Sequence, residues 1–132
     1  MSRITVLVAG LLLAVTCVAA GQDIDDLRKQ KLETARDGFT TQWKLYREAG
    51  QGAFDKLYLW SLRCLEAAKE ADPKGDAVPH LQAHLDRMRE LERILETQFK
   101  VGQGNKADLL TAIYYRLDAQ IMLAQAKAKK KG

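Results

Sequence analysis

Between Asp23 and Lys131 the chain carries only three turn signals, and the stretches between them are dominated by Ala, Leu, Glu, Lys, Arg and Gln, all good helix formers. Two of the breaks are glycine turns, Gly50-Gln51-Gly52 and Val101-Gly102-Gln103-Gly104-Asn105. The third, Asp72-Pro73-Lys74-Gly75-Asp76, combines a proline and a glycine with two aspartates that can cap helices. Strand-like alternation is nearly absent. The spacing therefore predicts an all-α fold of four long helices in two antiparallel hairpins, either closed as a bundle or left open as paired coiled coils.

Apolar residues repeat by threes and fours along each predicted helix, giving narrow stripes flanked by charges such as Arg87, Glu90, Arg93 and Glu96. The first helix, 23–49, places Leu32, Ala35, Phe39, Trp43 and Tyr46 on one face, with a weak point at Gly38 where a bend or fraying is expected. The second, 53–71, aligns Phe54, Leu57, Tyr58, Leu62 and Leu65. The third, 77–100, starts behind Asp76 with Pro79 in its first turn, and lines up Leu81, Leu85, Met88, Leu91, Leu95 and Phe99. Asn105 or Asp108 caps the fourth, whose predicted core stripe is Leu110, Ile113, Leu117, Ile121 and Ala124.

The start of the chain reads differently. Met1, Ser2 and Arg3 precede an apolar run over 4–15, too short to span a bilayer and followed by small residues at Val18-Ala19-Ala20. This pattern predicts a signal peptide over 1–21, cut after Ala20 or Gly21, and an exported protein of the periplasm or cell envelope. Lipidation at Cys17 is the alternative, with Thr16 a poor neighbour for it. The mature chain, 22–132, is long enough for one small domain. Hairpin one occupies about 23–71 and hairpin two about 76–129. Cleavage leaves Cys64 without an intramolecular partner, so helix packing must supply the stability. The net charge of +4 is concentrated in Lys127, Lys129, Lys130 and Lys131; the body is nearly neutral. Such a tail can touch anionic lipid or nucleic acid, but a solvated helix end is the simpler reading, and no nucleic-acid partner is expected.

The second and fourth helices open alike, Gly50-Gln51-Gly52-Ala53-Phe54-Asp55-Lys56-Leu57 against Gly102-Gln103-Gly104-Asn105-Lys106-Ala107-Asp108-Leu109, with one residue of slippage and Arg63 matched to Arg116. This reads as an internal duplication, with both glycine turns at one end of the molecule and the proline turn at the other. The run Phe99-Lys100-Val101-Gly102-Gln103-Gly104-Asn105-Lys106-Ala107-Asp108-Leu109-Leu110-Thr111-Ala112, continuing through Leu117 and Ala119, resembles the periplasmic helix-turn-helix of TolC-type outer-membrane efflux proteins. The resemblance covers the hairpin part alone, since nothing here alternates as a barrel strand does. It implies a hairpin tip that docks end-on to the helical hairpins of a periplasmic adaptor. The roles would fall to Val101, Gly102, Gly104, Asp108, Leu109 and Leu110.

Other chemistry finds little support in the residues. His80 and His84 stand four apart, a spacing at which two imidazoles can share a metal, but no further ligand cluster completes a site and a surface pair is the simpler reading. Cys64 sits in an apolar helix as a buried or half-buried thiol. The Gly-Gln-Gly turns lack the ending of a phosphate loop and follow no strand. Tyr114 and Tyr115 are adjacent, so one of them must turn away from the core. The sequence thus points to a non-enzymatic protein, without a cofactor, that binds an envelope protein or itself. A small bundle holding a ligand or metal between its helices is the alternative.

Overall fold

A computed structural model describes residues 23–49 and 54–132; the predicted leader and the Gly50-Gln51-Gly52 turn lie outside these residues. Four helices follow in order, α1 (Ile24–Ala49), α2 (Phe54–Ala71), α3 (Val78–Lys100) and α4 (Lys106–Lys131), and the described residues contain no strand. None of these helices is long and apolar enough to cross a membrane. Their bounds fall within about a residue of the turn signals, because glycine and proline act on the backbone directly and need no tertiary help.

Helix α3 begins as its sequence demands. The Asp76 carboxylate accepts from the Val78 amide at 3.0 Å, and Pro79 sits in the first turn, where its missing amide proton leaves no hydrogen bond unmade. Asp76 also pairs with Lys130 from the end of α4, and the two contacts hold its carboxyl below the ordinary range. Helix α1 runs unbroken through Gly38, so the helix does not fray there. A Cβ at Gly38 would overlap the six-membered ring of Trp60, so the glycine admits an indole from α2.

Helices α1 and α2 pack as one hairpin, α3 and α4 as the other, and α2 against α3 joins them. Side-chain contacts also reach beyond neighbours in the chain: the Arg87 guanidinium of α3 lies 5.2 Å from the centre of the Phe39 ring of α1, and Tyr58 of α2 stacks on Tyr115 of α4 with centroids 3.8 Å apart and planes within 2°. Helices α1 and α4 form no packed pair, so α2 and α3 are the inner helices and α1 and α4 the outer ones. The core runs from Tyr46, Phe54 and Leu95 at the glycine-turn end through Leu57, Met88 and Leu91 to Leu65, Leu81 and Leu123.

The predicted stripes of the first three helices turn inward, apart from Phe99, which is exposed; Leu32 and Ala35 of α1 join a smaller cluster with Cys64 and Ala67, and the rest face the main core. Helix α4 does not follow its prediction. Leu110, Leu117 and Ile121 are exposed, and α4 meets α3 instead through Ala112, Ala119 and Leu123, with Leu109, Tyr115 and Met122 partly buried beside them. Small residues let two helix axes approach to the short end of the ordinary 8–10 Å range, and α4 is apolar on both sides, so periodicity could not choose between them. The sequence correspondence of the hairpins also stops short of packing. Leu57 is fully buried, whereas its counterpart Leu110 is 54% exposed.

Candidate functional site

The tip of the second hairpin is built by two capping motifs in succession. Gly102 adopts φ 73°, its amide donates to the Phe99 carbonyl at 3.1 Å, and the Gln103 amide donates to the Gln98 carbonyl at 2.8 Å. These are the paired bonds of a Schellman ending, with glycine at the left-handed position that other residues adopt only under strain. Gly104 packs close, since a Cβ there would lie 3.2 Å from Gln98 Cβ and from the Phe99 nitrogen. Asn105 then caps α4: its Oδ1 accepts from the Asp108 amide and its Nδ2 donates to the Asp108 carboxylate, each at 2.8 Å. Of the two predicted caps, Asn105 is the one used.

The predicted tip residues therefore separate into two groups. Val101 is 63% exposed and Leu110 is exposed as well, and with Phe99 they form an apolar rim around the turn. Gly102, Gly104 and Asp108 hold the turn in shape, and Leu109 turns inward to pack against the core. Tyr46 ends the core beneath the tip; its hydroxyl is buried beside Gln98 without a hydrogen bond of good geometry, and burial raises its pKa.

The histidine pair is resolved by the fold. His84 is fully buried, which corrects the expectation of a surface pair, while His80 is half-buried near the proline turn beside Arg28, Asp72 and Asp76. Among the described residues no three His, Cys, Asp or Glu side chains gather as a metal site would require. Facing the core, His84 Nδ1 lies 2.7 Å from Ser61 Oγ, and Arg87 Nε donates to the same oxygen at 2.8 Å. The serine oxygen accepts from Arg87, and its contact with Nδ1 suits either ring tautomer; in both, Nε2 is a buried atom with no hydrogen-bond partner. Burial first, and Arg87 second, push the His84 pKa down to about 4. Sequence reasoning missed this cluster, although Ser61 and His84 each fall on the apolar stripe of its helix.

Around it lie Cys64, a buried free thiol whose pKa burial raises, and Tyr58, which donates to Asp118 Oδ2 at 3.3 Å. Tyr115 donates to Asp55 Oδ1 at 2.7 Å, and Tyr114 is the member of the pair turned to solvent. Arg116 forms a two-pronged pair with Glu92 at 2.7 and 3.3 Å, whereas Arg63, its counterpart in hairpin one, lies over the Trp60 ring. A shallow cleft of about 300 Å³ between α1 and α2, lined by Lys31, Ala35, Trp60 and Arg63 among others, opens on the outside of the molecule. No family model, curated protein or solved structure matches this chain.

Proposed function

We propose that this protein is an exported, non-enzymatic interaction module of the cell envelope, and that the tip of its second hairpin is a docking point for the helices of another envelope protein. The observation that carries this reading is the contrast at the tip. Two caps fix the backbone, yet the side chains they hold out, Phe99, Val101 and Leu110, are apolar and open to water. A rigid apolar prominence loses little entropy when it is covered, which favours recognition. The resemblance of 99–112 to the tip of TolC-type hairpins supports a helical adaptor as the partner, and the apolar leader over 4–15 supports export.

The test is a titration of the purified protein with isolated helical hairpins of periplasmic adaptors, followed by calorimetry. Saturable binding is expected, weakened at least tenfold by Val101→Glu together with Leu110→Glu, two exposed positions whose replacement leaves the caps intact. Absence of binding, or binding indifferent to both changes, overturns tip docking. N-terminal sequencing of protein recovered from the envelope tests export separately: a start at Gly21 or Gln22 is expected, and an intact Met1 defeats it.

A further inference from the structure

The arginines of this protein are not all treated alike. Arg28, Arg89, Arg93 and Arg116 each pair with a carboxylate within 3.5 Å, and Arg47 and Arg63 lie over tryptophan rings. Among the described residues Arg36 and Arg87 have no carboxylate partner, and Arg87 is the half-buried one, with its pKa lowered first by burial and then by the charge of Arg36. A cation withdrawn from water is ordinarily matched by an anion, because water alone no longer compensates the charge. The nearby groups do not supply one. Asp86, the carboxylate that acts on Arg87, is taken by Gln82 and Arg89. The Cys64 thiol on α2 feels both guanidinium charges, but burial keeps it protonated.

Arg87 is also held in place before anything binds. Its Nε donates to the fully buried Ser61 Oγ of α2 at 2.8 Å, and its guanidinium lies 5.2 Å from the centre of the Phe39 ring of α1. Its two terminal nitrogens bond to no described residue and reach the surface. A guanidinium fixed at Nε and across one face presents those nitrogens as a ready fork, the geometry that matches two oxygens of one anion, and little entropy is lost when they are used. Arg36, exposed on α1, adds a second positive charge on the same side. We propose that Arg87 and Arg36 form a binding site for a small oxyanion, a phosphate or carboxylate group, received by the fork of Arg87 and neutralised further by Arg36. Water and salt reach the site, so the affinity is modest, with a dissociation constant on the order of 0.1–10 mM. The site stands about 20 Å along α3 from the hairpin tip by helical rise and shares no residue with it, so either reading can fail alone.

Calorimetric titration of the purified protein with inorganic phosphate and, separately, with acetate, at pH 6.5 and an ionic strength held constant with sodium chloride, reads the binding directly. Saturable one-to-one binding of at least one anion is expected, and the tighter of the two identifies the source of the oxyanion. Affinity is expected to fall at least fivefold in Arg36→Gln, a change at an exposed position, and in Arg87→Lys, which keeps the charge and loses the fork. Nuclear magnetic resonance of the unaltered protein reads the same site without a variant: the Arg87 Nε–H signal is expected to shift along a saturable curve, while that of Arg93, already held by Glu90, stays in place. Absence of saturation with both anions, an equal response to chloride alone, or an affinity indifferent to both substitutions overturns the proposal.

Discussion

His84 is held neutral by its surroundings. Ser61 and Arg87 lie on its Nδ1 side, Tyr58 stands 6.1 Å away ring to ring, and the Asp118 carboxylate, which raises the pKa, is outweighed by burial and by Arg87. With the folded pKa at about 4 and the unfolded value near 6.5, the unfolded chain binds the proton more readily. Stability is therefore complete above about pH 6.5 and falls as pH drops toward 4, by about 3 kcal/mol over the whole window. Urea denaturation at pH 7.5 and pH 5 is expected to show about 2 kcal/mol of this loss in the native protein and a smaller one in His84→Gln; equal losses would dismiss the assignment. Gly38 yields a second expectation at this scale. Alanine is the better helix former by about 1 kcal/mol, yet Gly38→Ala drives a methyl into the Trp60 ring and is expected to cost about 1–3 kcal/mol net in thermal denaturation.

At the scale of the element, the start of α3, the end of α3 and the start of α4 are each stabilised by a specific device. The α3–α4 turn rests on Gly102 in the left-handed region and on Asn105 with its reciprocal bonds to Asp108. Gly102→Ala and Asn105→Ala are each expected to lower stability by about 1 kcal/mol, and Asn105→Ser by much less, since serine caps nearly as well. Chemical denaturation measures all three. Asp108 shows why element-level reading matters: its place in a docking motif and its place in a cap are the same position, and the cap alone accounts for its contacts. Exposed ion pairs along the helices, such as Arg93–Glu90 and Lys100–Glu96, add little to this balance.

For the whole molecule the question is what joins two hairpins into one body. Packing of α2 on α3 does most of it, and the Tyr58–Tyr115 stack ties α4 across to α2, reinforced by the bond from Tyr115 to Asp55. The two rings share a parallel, close arrangement, so a double-mutant cycle of Tyr58→Ala and Tyr115→Ala is expected to give a coupling energy of about 0.5–1.5 kcal/mol. Additive losses would show that the hairpins cohere without the stack. Because α1 and α4 stay apart, the molecule keeps two long outer helices with one side each in water, and the exposure of Leu110, Tyr114, Leu117 and Ile121 on α4 follows from that arrangement.

The sequence by itself determined the class, the number and the bounds of the helices, because proline, paired glycines and capping residues act within a few residues of where they stand. It also determined the inward faces of α1, α2 and α3, where a single stripe of large residues left no choice. The tip was legible as a place, through its glycine and asparagine signals, but not in its division between residues that shape the turn and residues that face water. Only the tertiary structure decided which side of α4 is the core side, since Ala112 and Ala119 prevail over larger residues when close approach to α3 buries more of both helices. It alone brought Ser61, His84 and Arg87 together across two helices, because contacts between distant stretches depend on how helices rotate about their axes, a choice made by packing and not by local propensity.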